Sequence, residues 1–194
     1  MRSTEEFQYL AVLLSIVLGL GVTQLLTGVG RLVQARARVR AYWPALAWVG
    51  LLLLIHVQSW WAMFELRAHA GWTLVTFGVV LLTPVCLYLM AALVLPDVAE
   101  ATGEGQVLDL RAHYYAQTRW FFGAAAGVIV SSLLRPVAMD GRLPLDLDRG
   151  LQLVFLALTG AGALVRRPRY HELMTAAAAV LLVAYDALLF ARLR

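Results

Sequence analysis

The sequence predicts an all-α integral membrane protein, a polytopic bundle of about six transmembrane helices. Three observations lead there. The chain of 194 residues is 61% hydrophobic and only 14% charged, whereas a soluble domain carries roughly 25% charged residues. Its apolar residues fall in long uncharged runs, and its arginines and aromatic residues gather where those runs end. With a mean hydropathy of +0.75, so short a chain cannot hide its apolar surface from water by folding on itself. The length suits one domain, residues 1–194.

A helix rises about 1.5 Å per residue, so about 20 apolar residues cross the hydrocarbon layer. The first three spans are expected at about 7–30, 42–65 and 70–96. Phe7 to Gly30, Ala41 to Phe64 and Ala68 to Pro96 contain no Asp, Glu, Lys or Arg. The last three are expected at 119–139, 149–166 and 171–193. The fourth carries Arg135 and the sixth Asp186, while the fifth is short and needs its flanking arginines to snorkel. The runs are continuous, not alternating, so they read as helices and not as strands of a barrel. Between spans three and four, the loop 97–118 begins DVAEATGEG and continues VLDLRAHYYAQTRW. The second part mixes apolar and charged residues as a short interfacial helix would.

Orientation follows the arginines, which are all 16 of the basic residues. The loop after the first span holds Arg31, Arg36, Arg38 and Arg40, against Arg67 alone after the second. Both termini are therefore expected outside, in a multi-pass protein of the inner (plasma) membrane. Tyr42 and Trp43, then Trp60, Trp61, Phe64 and Trp72, then Trp120 to Phe122, fall where interfacial belts belong. Glu5 and Glu6, soon after Arg2, argue against a signal peptide.

The net charge of +4 and a pI near 9.6 invite a nucleic-acid reading. The arginines lie between apolar runs instead of on one basic face, so the expected partner is the lipid bilayer and not nucleic acid. Cys86 stands alone, which excludes an internal disulfide and any Cys-based metal framework. No HExxH, GxSxG, P-loop or CxxC occurs. No second histidine falls level with His56 in a neighbouring span, as a bis-histidine haem would require. No cofactor, metal site or catalytic residue is expected, and the chain does not read as an enzyme.

The residues that carry chemistry are then the polar ones inside the spans, since an ionisable group at the centre costs about 2.5–3.5 kcal/mol. These are His56, Asp186, Arg135, Gln24 and Gln58. Asp186 and Arg135 lie at compatible depths and are expected to pair. At 100° per residue His56 shares a face with Ser59, Trp60 and Met63, and Gln58 shares another with Trp61 and Glu65, so HVQSWW is not one convergent site. Gln24 must hydrogen-bond across helices or face water. Thr83-Pro84 is expected to kink the third span, with a neighbour satisfying the freed carbonyl. A lipid-directed enzyme would instead use the interfacial group Asp109, Arg111, His113 and Tyr114.

The leading functional expectation is a small bacterial-type membrane transporter or channel for an ion or small solute. The alternative is a non-catalytic scaffold, sensor or accessory subunit acting by helix–helix assembly. Small-residue faces at Gly123/Gly127, Ala157/Ala161 and Ala176–Ala179 suit a homo-oligomer. Three spans, a loop and three spans also suit a 3+3 inverted repeat, echoed by Gly21–Leu26 and Gly127–Leu134.

Overall fold

The computed structural model describes residues 2–69, 71–97, 107–142 and 147–192, with side chains described for 6–67, 69, 71–97, 107–142 and 149–184. The described residues hold six α-helices: α1 (Arg2–Gln34), α2 (Trp43–Ala62), α3 (Leu74–Val94), α4 (Leu110–Asp140), α5 (Leu147–Leu164) and α6 (Pro168–Arg192). Four helical segments, Glu6–Gln34, Trp43–Arg67, Leu74–Val94 and Leu110–Asp140, are long and apolar enough to cross a membrane.

Helix ends follow local chemistry. Pro44 sits in the first turn of α2, where its missing N–H has no partner to lose. Thr73 and Thr76 form a reciprocal capping box at the start of α3: Thr76 N–H donates to Thr73 Oγ1 (3.1 Å) and Thr73 N–H to Thr76 Oγ1 (2.9 Å). Asp109 caps α4, its carboxylate accepting from the N–H groups of Arg111 (2.8 Å) and Ala112 (3.1 Å). Gly141 ends α4 in the left-handed conformation (φ 65°), which a glycine adopts without steric cost.

One expectation is corrected here. Residues 110–118 are not a separate interfacial helix but the first turns of α4, which runs without a break from Leu110 to Asp140. The polar N-terminal stretch has no breaker between it and the apolar run, so the backbone ladder simply continues. The sequence also gave no sign of a two-stranded parallel pairing, β1 (Val39–Arg40) with β2 (Leu108–Asp109), in register Val39↔Leu108 and Arg40↔Asp109. Two residues are too few to show a period.

The start of α1 and the end of α6 define one end of the bundle, together with residues 62–69, 71–73 and 140–142. The opposite, loop end holds residues 35–42, 95–97, 107–109 and 165–167. α1 and α3 run in the same direction, since Phe7 stacks on Trp72 at one end and Arg31 donates to Asp97 (2.9 Å) at the other. α3 is central, packed against α1, α2 and α4. α4 carries α5 on its other flank, and α6 leans on α2. The two halves do not pack alike: α1 lies along α3, whereas its counterpart α4 lies along α5. This arrangement gives the inverted repeat no support.

The loop-side half is filled by a continuous core. Leu25, Leu52 and Phe122 are fully buried within it, and Leu87, Met90 and Trp48 nearly so. Trp48 meets Phe121 and Phe122 edge to face (5.2 and 5.9 Å between ring centroids), a favoured aromatic geometry. Gly127 packs against Cys86 Sγ and Gly162 against the Phe122 ring. Gly123 is exposed, so of that small-residue pair only Gly127 serves the internal packing.

Candidate functional site: a cavity at the terminal end

A cavity of about 520 Å³ lies in the terminal half of the bundle, between α1, α2, α3 and α4. Its apolar wall includes Leu18, Leu54, Val80 and Val128, and its polar lining includes Gln58, Ser132, Arg135 and Glu65. Of its lining residues Val57, Trp61 and Glu65 are exposed, so the cavity is open along the flank of α2 from mid-helix to the terminal end. Between Val128 and Arg135 the cavity follows α4 for roughly 10 Å at 1.5 Å per residue. Below it begins the loop-side core.

Pro84 stands at the wall beside Thr83. Proline brings no N–H to the helical ladder and crowds the turn before it. Pro84 leaves the Val80 carbonyl without its ladder donor. The polar neighbour from α4 is the fully buried Ser131, which reaches the carbonyl one residue earlier and not the freed one. Its hydroxyl donates to the carbonyl of Val79 (2.7 Å) and accepts from Thr83 Oγ1 (2.8 Å). One serine thus ties α3 to α4 in the turn beside Pro84. Its partners lie 48 and 52 residues away in the chain, which no local spacing could announce.

Arg135 is partly buried and lines the cavity. Its Nε is inaccessible and has no hydrogen-bond partner. Among the described residues no carboxylate lies within ion-pair distance of it. The side chain of Asp186 lies outside the described residues, so the expected pairing with Arg135 falls there too. Arg149 donates to the Ser132 carbonyl (3.3 Å) and to Gln152 Oε1 (3.0 Å).

Of the remaining residues expected to act inside the spans, Gln58 lines the cavity and His56 does not. His56 is 1% exposed. Its Nδ1 donates to the Leu52 carbonyl (2.6 Å), and Nε2 points at Gly21 of α1 with no partner. A Cβ at Gly21 would overlap the imidazole. Gln58, Trp61 and Glu65 line the cavity, but so do Ser59 and Met63 of the face expected to carry His56; His56 itself turns to α1. Gln24 is exposed on α1 and joins neither group. Ser59, Glu65, Thr83 and Ser132 add to the polar lining.

The interfacial group is corrected. Asp109, Arg111, His113 and Tyr114 do not converge. Asp109 is a helix cap and lies 3.8 Å from Arg40. Arg111 is exposed above the Tyr42 ring. His113 Nε2 meets the Leu93 carbonyl (3.0 Å) at the end of α3. Tyr114 donates to Nδ1 of His171 (3.1 Å), whose Nε2–H donates to the Val165 carbonyl (2.7 Å). The local spacing put Asp109 and His113 one turn apart, but each is drawn to a different neighbouring element. Around them Tyr42, Tyr114, Tyr115 and His171 stack edge to face at the loop end. Burial and its bond to Tyr115 push the Tyr42 phenol above its ordinary pKa.

Among the described residues no group of three or more His, Cys, Asp or Glu is placed to hold a metal ion. The fold and site together define a helical bundle with a mostly apolar cavity in its terminal half, lined by Arg135. No family model matches the chain, and neither curated proteins nor solved structures give a match.

Proposed function

We propose that this chain is a small membrane carrier that admits a solute into its cavity from the side of the termini and releases it on the loop side. In this reading α5 and α6 cross the bilayer with the four longer apolar segments, making six spans. The termini lie outside the plasma membrane and the arginine-rich loop end faces the cytoplasm. α4, about 46 Å long at 1.5 Å per residue, exceeds a hydrocarbon layer of about 30 Å, so its first turns project at the loop end.

The observation that carries the reading is that the cavity is confined to the terminal half. None of the loop-side core residues Leu52, Leu87 and Phe122 lines it, so no continuous path crosses the bundle. A channel needs a continuous path; a carrier needs a site open to one side at a time. Pro84 and the Ser131 bridge lie at the cavity wall, where α3 has the fewest ladder bonds to lose on moving.

Accessibility of engineered cysteines tests this. On a Cys86→Ala background, Ser132→Cys should react with a membrane-impermeant thiol reagent from the terminal side. Ala91→Cys, in the loop-side core, should react slowly from the loop side when that half opens. Persistent protection of Ala91→Cys from the loop side would remove the carrier reading. A scaffold, sensor or accessory subunit would then be favoured, on the strength of Gln24: an exposed amide within an apolar span calls for a partner from another helix.

A further inference from the structure

We propose that the cavity binds an amphipathic anion, a carboxylate or phosphate head on a short apolar body, with the head at Arg135. The inference deepens the carrier reading and rests on it for taking the cavity as the solute site. The charge and the shape of the site argue together. Arg135 lines the cavity with a buried Nε that no group among the described residues satisfies. A guanidinium in this setting is a strong anion site, because its donors are fixed and its charge is poorly hydrated. Ser132, one turn earlier on α4, adds a hydroxyl at the same rim. Glu65 is the cavity's only lining carboxylate among the described residues, and it stands exposed at the mouth. Water screens it there, and it lies beyond ion-pair distance from Arg135.

Past Arg135 most of the wall is hydrocarbon, Leu14, Leu18, Leu54, Val80 and Val128, with Gln58, Ser59 and Thr83 the neutral polar groups among it. A small hydrophilic anion would lose its hydration there for few hydrogen bonds in return. An apolar tail gains from the same surface. The volume, about 520 Å³, lies within the roughly 300–1,000 Å³ common for small-molecule sites.

The test is calorimetric titration of the detergent-solubilised full chain with octanoate, octyl phosphate and neutral octanol. Both anions should bind about tenfold or more tightly than octanol, the factor a single charge-assisted contact implies. Arg135→Gln should abolish that preference while leaving octanol binding unchanged, which also shows that the variant folds. Arg135→Lys should retain most of it. Equal binding of octanoate and octanol, or octanoate binding unaltered by Arg135→Gln, overturns the proposal. Phosphatidylglycerol added in nanodiscs separates the two sources of the anion: competition with octanoate identifies a lipid head group, and its absence a free amphiphile. Anion binding with a loop half that stays closed sinks the carrier but not the site; an alternating cavity without anion preference does the reverse.

Discussion

The imidazole of His56 lies directly on the backbone of Gly21, so close that no side chain fits between α1 and α2 at that level. The contact is the reason glycine is needed there; the helical φ of Gly21 asks nothing of it. Gly21→Ala is expected to destabilise the protein by about 1–3 kcal/mol, the cost of an overpacked methyl. The double variant Gly21→Ala, His56→Ala should recover most of that loss, since the clash partner is gone. Denaturant titration in detergent micelles measures both. Strictly additive losses would show that the two residues do not share this contact.

Ser131 gives a second case. Its hydroxyl serves Val79 and Thr83 at once beside Pro84. Ser131→Ala should cost about 1–2 kcal/mol, as for interhelical hydrogen bonds in apolar surroundings. Ser132→Ala, at the open rim, should cost less than about 0.5 kcal/mol. Equal effects at the two serines would mean that the bridge does not hold α3 to α4.

Cys86 should be unreactive toward maleimide in the folded protein and fully reactive once unfolded. It is 6% exposed, and its sulfur fills the space above Gly127. Gly127→Ala places a methyl where that sulfur sits and should speed labelling of the native state by loosening α3 against α4. Labelling of the parent protein as fast as a free thiol would contradict this packing.

Tyr42, just outside the first turn of α2, supplies a pH dependence. Its phenol is buried and bonded to Tyr115 (3.2 Å), which holds its pKa above the ordinary value. An unfolded tyrosine ionises near pH 10. Above that pH the unfolded state loses the proton first, so the contribution is complete below about pH 10 and declines as pH rises further. The unfolding midpoint should therefore fall as the pH is raised above about 10. The fall should be shallower in Tyr42→Phe, which keeps the ring and has no proton to lose. Identical slopes would show that the phenol does not contribute.

How far the sequence reached can be judged from particular residues. The Gln58–Trp61–Glu65 face followed from 100° per residue, and those residues line the cavity. The same arithmetic set Ser59 and Met63 apart with His56, yet both line the cavity too and His56 turns away. The Thr83-Pro84 step announced an interrupted ladder in α3. The arrangement of Asp109, Arg111, His113 and Tyr114 misled, because spacing within one helix says nothing about Leu93, His171 or Arg40, which claim those side chains. Gln24 was legible as a polar residue in a span, but its exposure depends on which flank of α1 meets α3.

What the sequence determined by itself was the helical character and the runs that become helices. Burial of apolar side chains and backbone self-satisfaction are properties of each stretch, and they need no knowledge of neighbours. Only the tertiary structure decided that α4 continues through residues 110–118, that Gly21 receives His56, and that Ser131 bonds to α3. It also decided that the arginine of α4 turns into a cavity. Each of these depends on a partner distant in the chain, and contacts of that kind are set by which helix faces meet, a choice that local periodicity leaves open.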